Sequence, residues 1–221
     1  MNGSIDGSLS LDPTVDPGAT APVPPRAHSG GGHVRATAVF LVLMIVLVGL
    51  VYPFTTTAVA QLIDPHSANG SLLYYPNGTL AGSELIAQNT SAPFLFWERP
   101  SGTDYNTTLG VATDPGPTDP ALLALLNETI AYMKEYGNFT VNATLPFWWV
   151  APSASSVDPD LTPEAVLVQV PRVAEANNLT VADVTGLVNA HITQPLVPFL
   201  GVAYVNVLEL DLALVGITGR T

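Results

Sequence analysis

Cysteine is absent from the 221 residues and lysine occurs once, at Lys134. Without cysteine there is no disulfide framework and no thiolate metal site, so any folded part relies on packing alone. Six basic side chains stand against eighteen acidic ones, a formal net charge of −12 with a pI near 4.3. Nucleic-acid binding is argued against, because phosphate neutralisation needs clustered Lys and Arg. Charged residues make up only 11% of the chain, which suits an outer face bathed in acid, where carboxylates largely lose their charge. Motifs that carry chemistry are missing as well. There is no phosphate-binding Gly-rich loop with its Lys, no Gly-x-Gly-x-x-Gly, no His-Glu-x-x-His helix and no serine nucleophile elbow. By its residues the chain alone catalyses nothing.

What is present is one long uncharged stretch, residues 36–63, with Arg26 and Arg35 before it and Asp64 as the first charge after it. A bilayer core is about 30 Å thick and a helix rises about 1.5 Å per residue, so about 20 apolar residues cross it. The part VFLVLMIVLVGLVY, residues 39–52, has no helical polar face and fits lipid on all sides. Both nearby Arg residues precede the span and the next basic residue is Arg99, which puts the N-terminus in the cytoplasm and the residues after about 60 outside. Asn-x-Ser/Thr sequons at Asn69, Asn77, Asn89, Asn106, Asn127, Asn138, Asn142 and Asn178 lie on that same outer side. A cleaved signal peptide competes for the segment, since Ala58-Val59-Ala60 has the small-x-small form of a cleavage site. The apolar run is longer than an ordinary signal core and follows a polar tail, so an uncleaved anchor is favoured.

The expected organisation is a disordered cytoplasmic tail over residues 1–34, a transmembrane helix over 35–58, and an extracytoplasmic α+β domain over 59–221. The tail, rich in Gly, Ser, Pro and Asp, cannot bury enough apolar surface to order itself; His28 and His33 within it read as solvated. Pro53 is expected to kink or end the apolar helix. Asn77-Gly78 marks a tight turn between strands over 72–75 and 79–81, with further short strands at 85–88, 94–97 and 145–150 and a loop over 102–119. A helix runs from an Asp119 N-cap through Pro120 to Gly137, with Leu122, Leu126, Ile130 and Met133 on its core face. A second helical stretch starts at Thr162-Pro163-Glu164 and is interrupted at Pro171; a third begins with the capping-box spacing Thr180 and Asp183. Residues 204–214 alternate like a last strand, which sets Glu209 and Asp211 on one face.

Candidate sites are few. The pair Asp158 and Asp160 in DPDLTPE reads as turn and cap chemistry. Glu209 and Asp211 read either as the solvated side of an edge strand or as a docking place for a partner's cation. His66 and His191 lack further ligands at helpful spacing.

The chain resembles the KdpC family, the C subunits of the Kdp potassium-transporting P-type ATPase, over about residues 36–214. The resemblance is carried by YP at 52–53, ANGSL at 68–72, GSELIAQN at 82–89, RPS at 99–101, YN at 105–106, SASSVDPDLTPEA at 153–165, QVPRVAEA at 169–176 and VNVLELDLAL at 205–214. It departs from the family pattern at Glu98, in place of a small residue, at Ser156 in place of Gly, at Asn177-Asn178 in place of Ala-Arg, and at Asp211 in place of Asn. The resemblance implies a non-catalytic subunit of an ATP-driven potassium-uptake complex, assembled with a channel-like A subunit, the ATP-hydrolysing B subunit and a short F peptide in the lipid bilayer. It further implies a catalytic chaperone that raises the B subunit's affinity for ATP, with Gln169 and Arg172 of QVPRVA as the nucleotide-linked residues, and no firmly bound cofactor of its own. The outward topology instead favours a cap over the potassium entrance. A stand-alone anchored surface glycoprotein that binds a sugar or an envelope partner is the alternative from the residues themselves.

Overall fold

The computed structural model describes residues 30–109, 115–137, 139, 144–197 and 199–220. Two compact units divide the chain, Met1–Thr55 and Thr56–Thr221. The described part of the first is helical: α1 spans Gly30–Val46, a π-helical turn spans Leu47–Val51, and α2 (Tyr52–Ile63) carries the helix on into the second unit. Residues Gly32–Ile63 form one helix of 32 residues with a mean hydropathy of 2.6 in its most apolar window, long and apolar enough to cross a bilayer. The helix does not end at Pro53. The turn immediately before the proline widens to π geometry, one of the ways a helix accommodates an interruption of its hydrogen-bond ladder. Of the expected tail, residues 1–29 lie outside the described residues; His33 lies in the first turns of α1.

The second unit is α+β with small sheets. After the one-turn α3 (Pro65–Ala68), capped by Asp64, β1 (Leu72–Tyr74) pairs antiparallel with β2 (Leu80–Ser83), Leu73 opposite Gly82 and Tyr74 opposite Leu80. The turn between them is the expected one: Gly78 sits at φ +83 and donates its N–H to the Tyr75 carbonyl at 2.8 Å, while Asn77 Oδ1 accepts from Thr79 N–H. At Gly82 a Cβ would stand 2.8 Å from the Gln88 side chain and 3.1 Å from Leu208, so glycine there lets the hairpin lie close against later parts of the chain.

The helix expected between Asp119 and Gly137 is α4 (Pro120–Tyr136), with Asp119 accepting from Ala121 N–H. Its Met133 is buried, and Leu126 and Ile130 pack on the core. The interruption at Pro171 takes the form of a restart: α6 (Pro163–Leu167) stops and α7 (Val170–Asn177) begins with the proline in its first turn. Thr180 and Asp183 close the capping box of α8 (Val181–Ala190). One apolar core gathers Met133, Trp149, Leu161, Val166, Val173, Val184, Val188, Leu210 and Leu214 from these helices and the segments between them.

Four expected strands are not strands. Residues 85–88 turn, Ile86 N–H bonding back to Ser83, and Ala87 donates to the Val157 carbonyl. Residues 94–97 are irregular and are held by side chains, as described below. Over 145–150 a single helical turn, α5 (Phe147–Val150), follows Pro146. Over 204–214 only β4 (Val205–Asn206) is extended, paired with β3 (Asp160–Leu161), and α9 (Val207–Thr218) follows at once. Asn206 caps α9, its Oδ1 accepting from Glu209 N–H at 3.1 Å. Glu209 and Asp211 therefore share no strand face: Glu209 is exposed in the first turn, whereas Asp211 is buried. The expected loop 102–119 is turns over 102–109, and its residues 110–114 lie outside the described ones.

Candidate functional site

The resemblance motifs converge on Trp97. Its backbone N–H donates to Gln169 Oε1 at 2.8 Å, and its carbonyl accepts from Gln169 Nε2 and from Trp149 Nε1, both at 3.0 Å. Gln169 is fully buried, and its amide also reaches the Ala165 carbonyl one turn back. One turn onward, Arg172 donates through Nη2 to Gln169 Oε1 at 2.9 Å and through Nη1 to the Pro93 carbonyl at 2.6 Å. Its guanidinium lies 4.5 Å from the Trp97 ring centre, a cation–π contact shielded from water. Burial brings the Arg172 pKa down to about 10, with Asp211 working in the opposite direction. Asn177 Nδ2 takes the Phe94 carbonyl at 2.7 Å, and Phe96 N–H donates to Asp211 Oδ1 at 2.9 Å. The side chains of Gln169, just before α7, and of α7 and α9 thus perform, for residues 93–97, the pairing that a neighbouring strand would otherwise supply.

A second set of contacts is organised by Arg99, which donates to Asp158 Oδ2 at 3.0 Å and to the carbonyls of Ala151 and Pro152. Asp158 Oδ1 in turn accepts from Asp160 N–H. The Asp158–Asp160 pair serves a turn, as expected, and an ion pair with Arg99, while the expected helix cap falls to Thr162; burial and the neighbouring Asp158 raise Asp160 to about 6. Ser156 takes φ +65 and Asn178 takes φ +57, left-handed backbone where Gly or Asn is favoured.

Glu98 and Asp211 are both buried acids. Glu98 Oε1 accepts from Gln88 N–H at 2.9 Å, while among the described residues Glu98 Oε2 and Asp211 Oδ2 have no hydrogen-bond partner. Burial, opposed only by that backbone bond and reinforced by Asp211, Asp158 and Asp160, lifts Glu98 to about 9. Burial likewise holds Asp211 well above the carboxylate range. Glu98 lines one wall of a cleft of about 520 Å³, with Trp97, Tyr105, Thr129, Tyr132 and Asn89 among its other walls.

The remaining candidates stay apart from this network. His66 Nε2 stands 3.6 Å from Glu84, and His191 Nδ1 contacts the Leu187 carbonyl at the end of α8; His28 lies outside the described residues. Among the described residues no group of three or more His, Cys, Asp or Glu side chains is placed to hold a metal ion. The arrangement orients and braces the backbone of residues 93–97. Trp97, Arg99 and Asn206 are central here although composition and spacing did not single them out. In sequence, Trp97 lies beside and Arg99 and Asn206 lie within the RPS (99–101) and VNVLELDLAL (205–214) stretches, and Asn206 also has the N-cap spacing to Glu209.

The family described as "KdpC: K+-transporting ATPase, c chain" matches residues 34–215. The potassium-transporting ATPase KdpC subunit of Methanosphaerula palustris is 41% identical over 182 residues, covering 82% of this chain and 96% of that protein. The subunit of Klebsiella pneumoniae is 40% identical over 184 residues, with 82% and 95% covered; that of Geobacter sulfurreducens is 36% identical over 185, with 82% and 96% covered. Likeness of this extent, running from the apolar helix into α9, shows that the chain belongs to the KdpC family.

Proposed function

We propose that this chain is a non-catalytic accessory subunit of an ATP-driven potassium-uptake complex, held by one membrane-spanning helix with its N-terminus in the cytoplasm and its folded domain outside. Its partners are the channel-like A subunit, the ATP-hydrolysing B subunit and the small F subunit. The observation that carries the reading is the reach of the family match, residues 34–215, which takes in the apolar helix and the folded domain together. The outward orientation rests on Arg26 and Arg35 before the span. The six described sequon asparagines, all exposed, agree with it. In this reading the domain caps the potassium entrance.

For Gln169 and Arg172 we propose a structural part in any effect on ATP affinity. Both are buried and committed to Trp97 and Pro93, and a lone Arg without a phosphate loop or Mg²⁺ ligands holds a triphosphate poorly. ATP is then bound by the B subunit, and this chain acts through assembly.

Mild solubilisation should co-purify the chain with a large P-type ATPase subunit, and added protease should digest the domain in sealed cells. A domain protected until the cells are opened would reverse the topology. A photoactivatable ATP analogue should label the B subunit and spare this chain; label at residues 169–172 would restore a direct nucleotide contact.

A further inference from the structure

Thr193 and Tyr204 exchange two backbone hydrogen bonds, at 2.8 and 3.0 Å, and so pin the base of a loop whose described residues are 194–197 and 199–203. Beyond that base the loop stands clear of the core. Leu196 is 100% exposed, Phe199 84%, Val202 74% and Leu200 73%, more than any other large apolar side chain described after the N-terminal helix. Trp148, 59% exposed, shares a groove of about 430 Å³ with Val202, Ala203 and Tyr204, whose other walls include the Arg99–Asp158 ion pair and Asp160, and Phe147 meets its ring edge-on at 5.6 Å between centroids. Between His191 and Glu209 the sequence has no charged residue, in a chain of net charge −12. A fixed base with an unpacked apolar tip adds nothing to the domain's own core, and contiguous apolar exposure of this kind marks a contact surface.

We propose that this loop, with Trp148 at its base, inserts into the interfacial layer of a lipid bilayer. Four features favour lipid over a protein partner. An acidic domain is repelled less by anionic headgroups where it presents an uncharged segment, and residues 192–208 carry no charge. Side chains that project fully into solvent suit a fluid phase that closes around them, whereas a protein would need a matching hollow. An indole with one wet edge is favoured at the membrane interface. The same chain also carries residues 32–63, so insertion would be an intramolecular event at high effective concentration; in this the proposal rests on the reading of that helix as a membrane span.

The absence of cysteine makes the test direct. Full-length chain carrying Leu196→Cys, labelled with an environment-sensitive nitrobenzoxadiazole dye, is reconstituted into phosphatidylcholine–phosphatidylglycerol vesicles, with Val181→Cys on exposed α8 as the control. The expected result is a blue-shifted dye at position 196, quenched by brominated acyl chains at least about two-fold more than at 181. Since Trp97 and Trp149 are buried, brominated lipid should also quench a Trp148 signal that Trp148→Phe removes. Phe199→Asp with Leu200→Asp should abolish both effects while circular dichroism stays unchanged. Chain that floats with the vesicles but shows equal quenching at 196 and 181 overturns the insertion alone. Position 196 shielded only when the other Kdp subunits are present overturns it in favour of a protein contact. Chain that fails to float overturns the insertion together with the membrane-span reading.

Discussion

Glu98 and Asp211 each bury a carboxyl with one oxygen bonded to a backbone N–H and the other without a partner among the described residues. A neutral acid tolerates that environment far better than a carboxylate does. Glu98 moves from an ordinary value of 4.5 to about 9 in the fold, and Asp211 moves the same way. A raised acid pKa means that the folded state holds its proton more tightly, so this stability is complete below about pH 4.5 and drains away as pH climbs toward 9. The thermal midpoint of the full chain in micelles should therefore peak in mild acid. Glu98→Gln should flatten the profile, gaining about 2 kcal/mol at pH 8 and little at pH 4, and a wild-type protein more stable at pH 8 than at pH 4 would refute the assignment. Gln169 lies at the opposite extreme, with its amide bonded to Trp97, Ala165 and Arg172. Gln169→Ala strands a buried N–H and a guanidinium at once. Denaturant unfolding should show a loss of about 2–4 kcal/mol.

Among the elements, α9 depends on one residue at its start. Asn206 Oδ1 caps the helix through Glu209 N–H, and Asn206 Nδ2 reaches back 2.7 Å to the Glu84 carbonyl beside the hairpin. Asn206→Ala loses both bonds and should cost about 1–2 kcal/mol, with hydrogen exchange quickening in the first turn of α9 and in residues 83–85. The same element shows how far the sequence could be read. Helices marked by side-chain caps were legible: Asp119 before Pro120, Thr162 before Pro163 and Thr180 with Asp183 all open helices as their chemistry demands. Residues 204–214 misled because Leu208, Leu210 and Leu212 alternate while Val207, Leu210, Leu214 and Leu208, Asp211, Val215 are spaced for a helix. The N-cap pattern Asn206 with Glu209 three residues on was the deciding signal. Residues 94–97 misled for another reason: the bonds that hold them come from Gln169, Asn177 and Asp211, more than seventy residues away, and local periodicity carries no trace of such partners. The candidate site was legible only through the resemblance, which named Gln169 and Arg172 but not the Trp97 backbone they serve.

For the whole molecule, charge is the property that acts at a distance. Of the eighteen acidic residues only Asp6, Asp12 and Asp16 precede the apolar helix, and beyond it the basic residues are Arg99, Lys134, Arg172 and Arg220. Arg99 and Arg172 are spent inside the domain, on Asp158 and around Trp97. Its outward field is therefore negative even with Glu98 and Asp211 protonated. If that domain caps a potassium entrance, the field enriches K⁺ at the pore mouth, an effect on arrival rate and not on the transport chemistry. Glu128, Glu135, Glu175 and Glu209 are all exposed, so changing the four to Gln removes charge without touching the core. Complexes carrying the quadruple variant should need about two- to five-fold more K⁺ for half-maximal uptake at 0.01 M ionic strength, where the Debye length is about 30 Å. Near 0.15 M, where the screening length shrinks to about 8 Å, the two complexes should converge. A difference that persists unchanged across that range would assign the four carboxylates to contacts within the complex, and no difference at either salt would show that the domain's charge does not steer the ion.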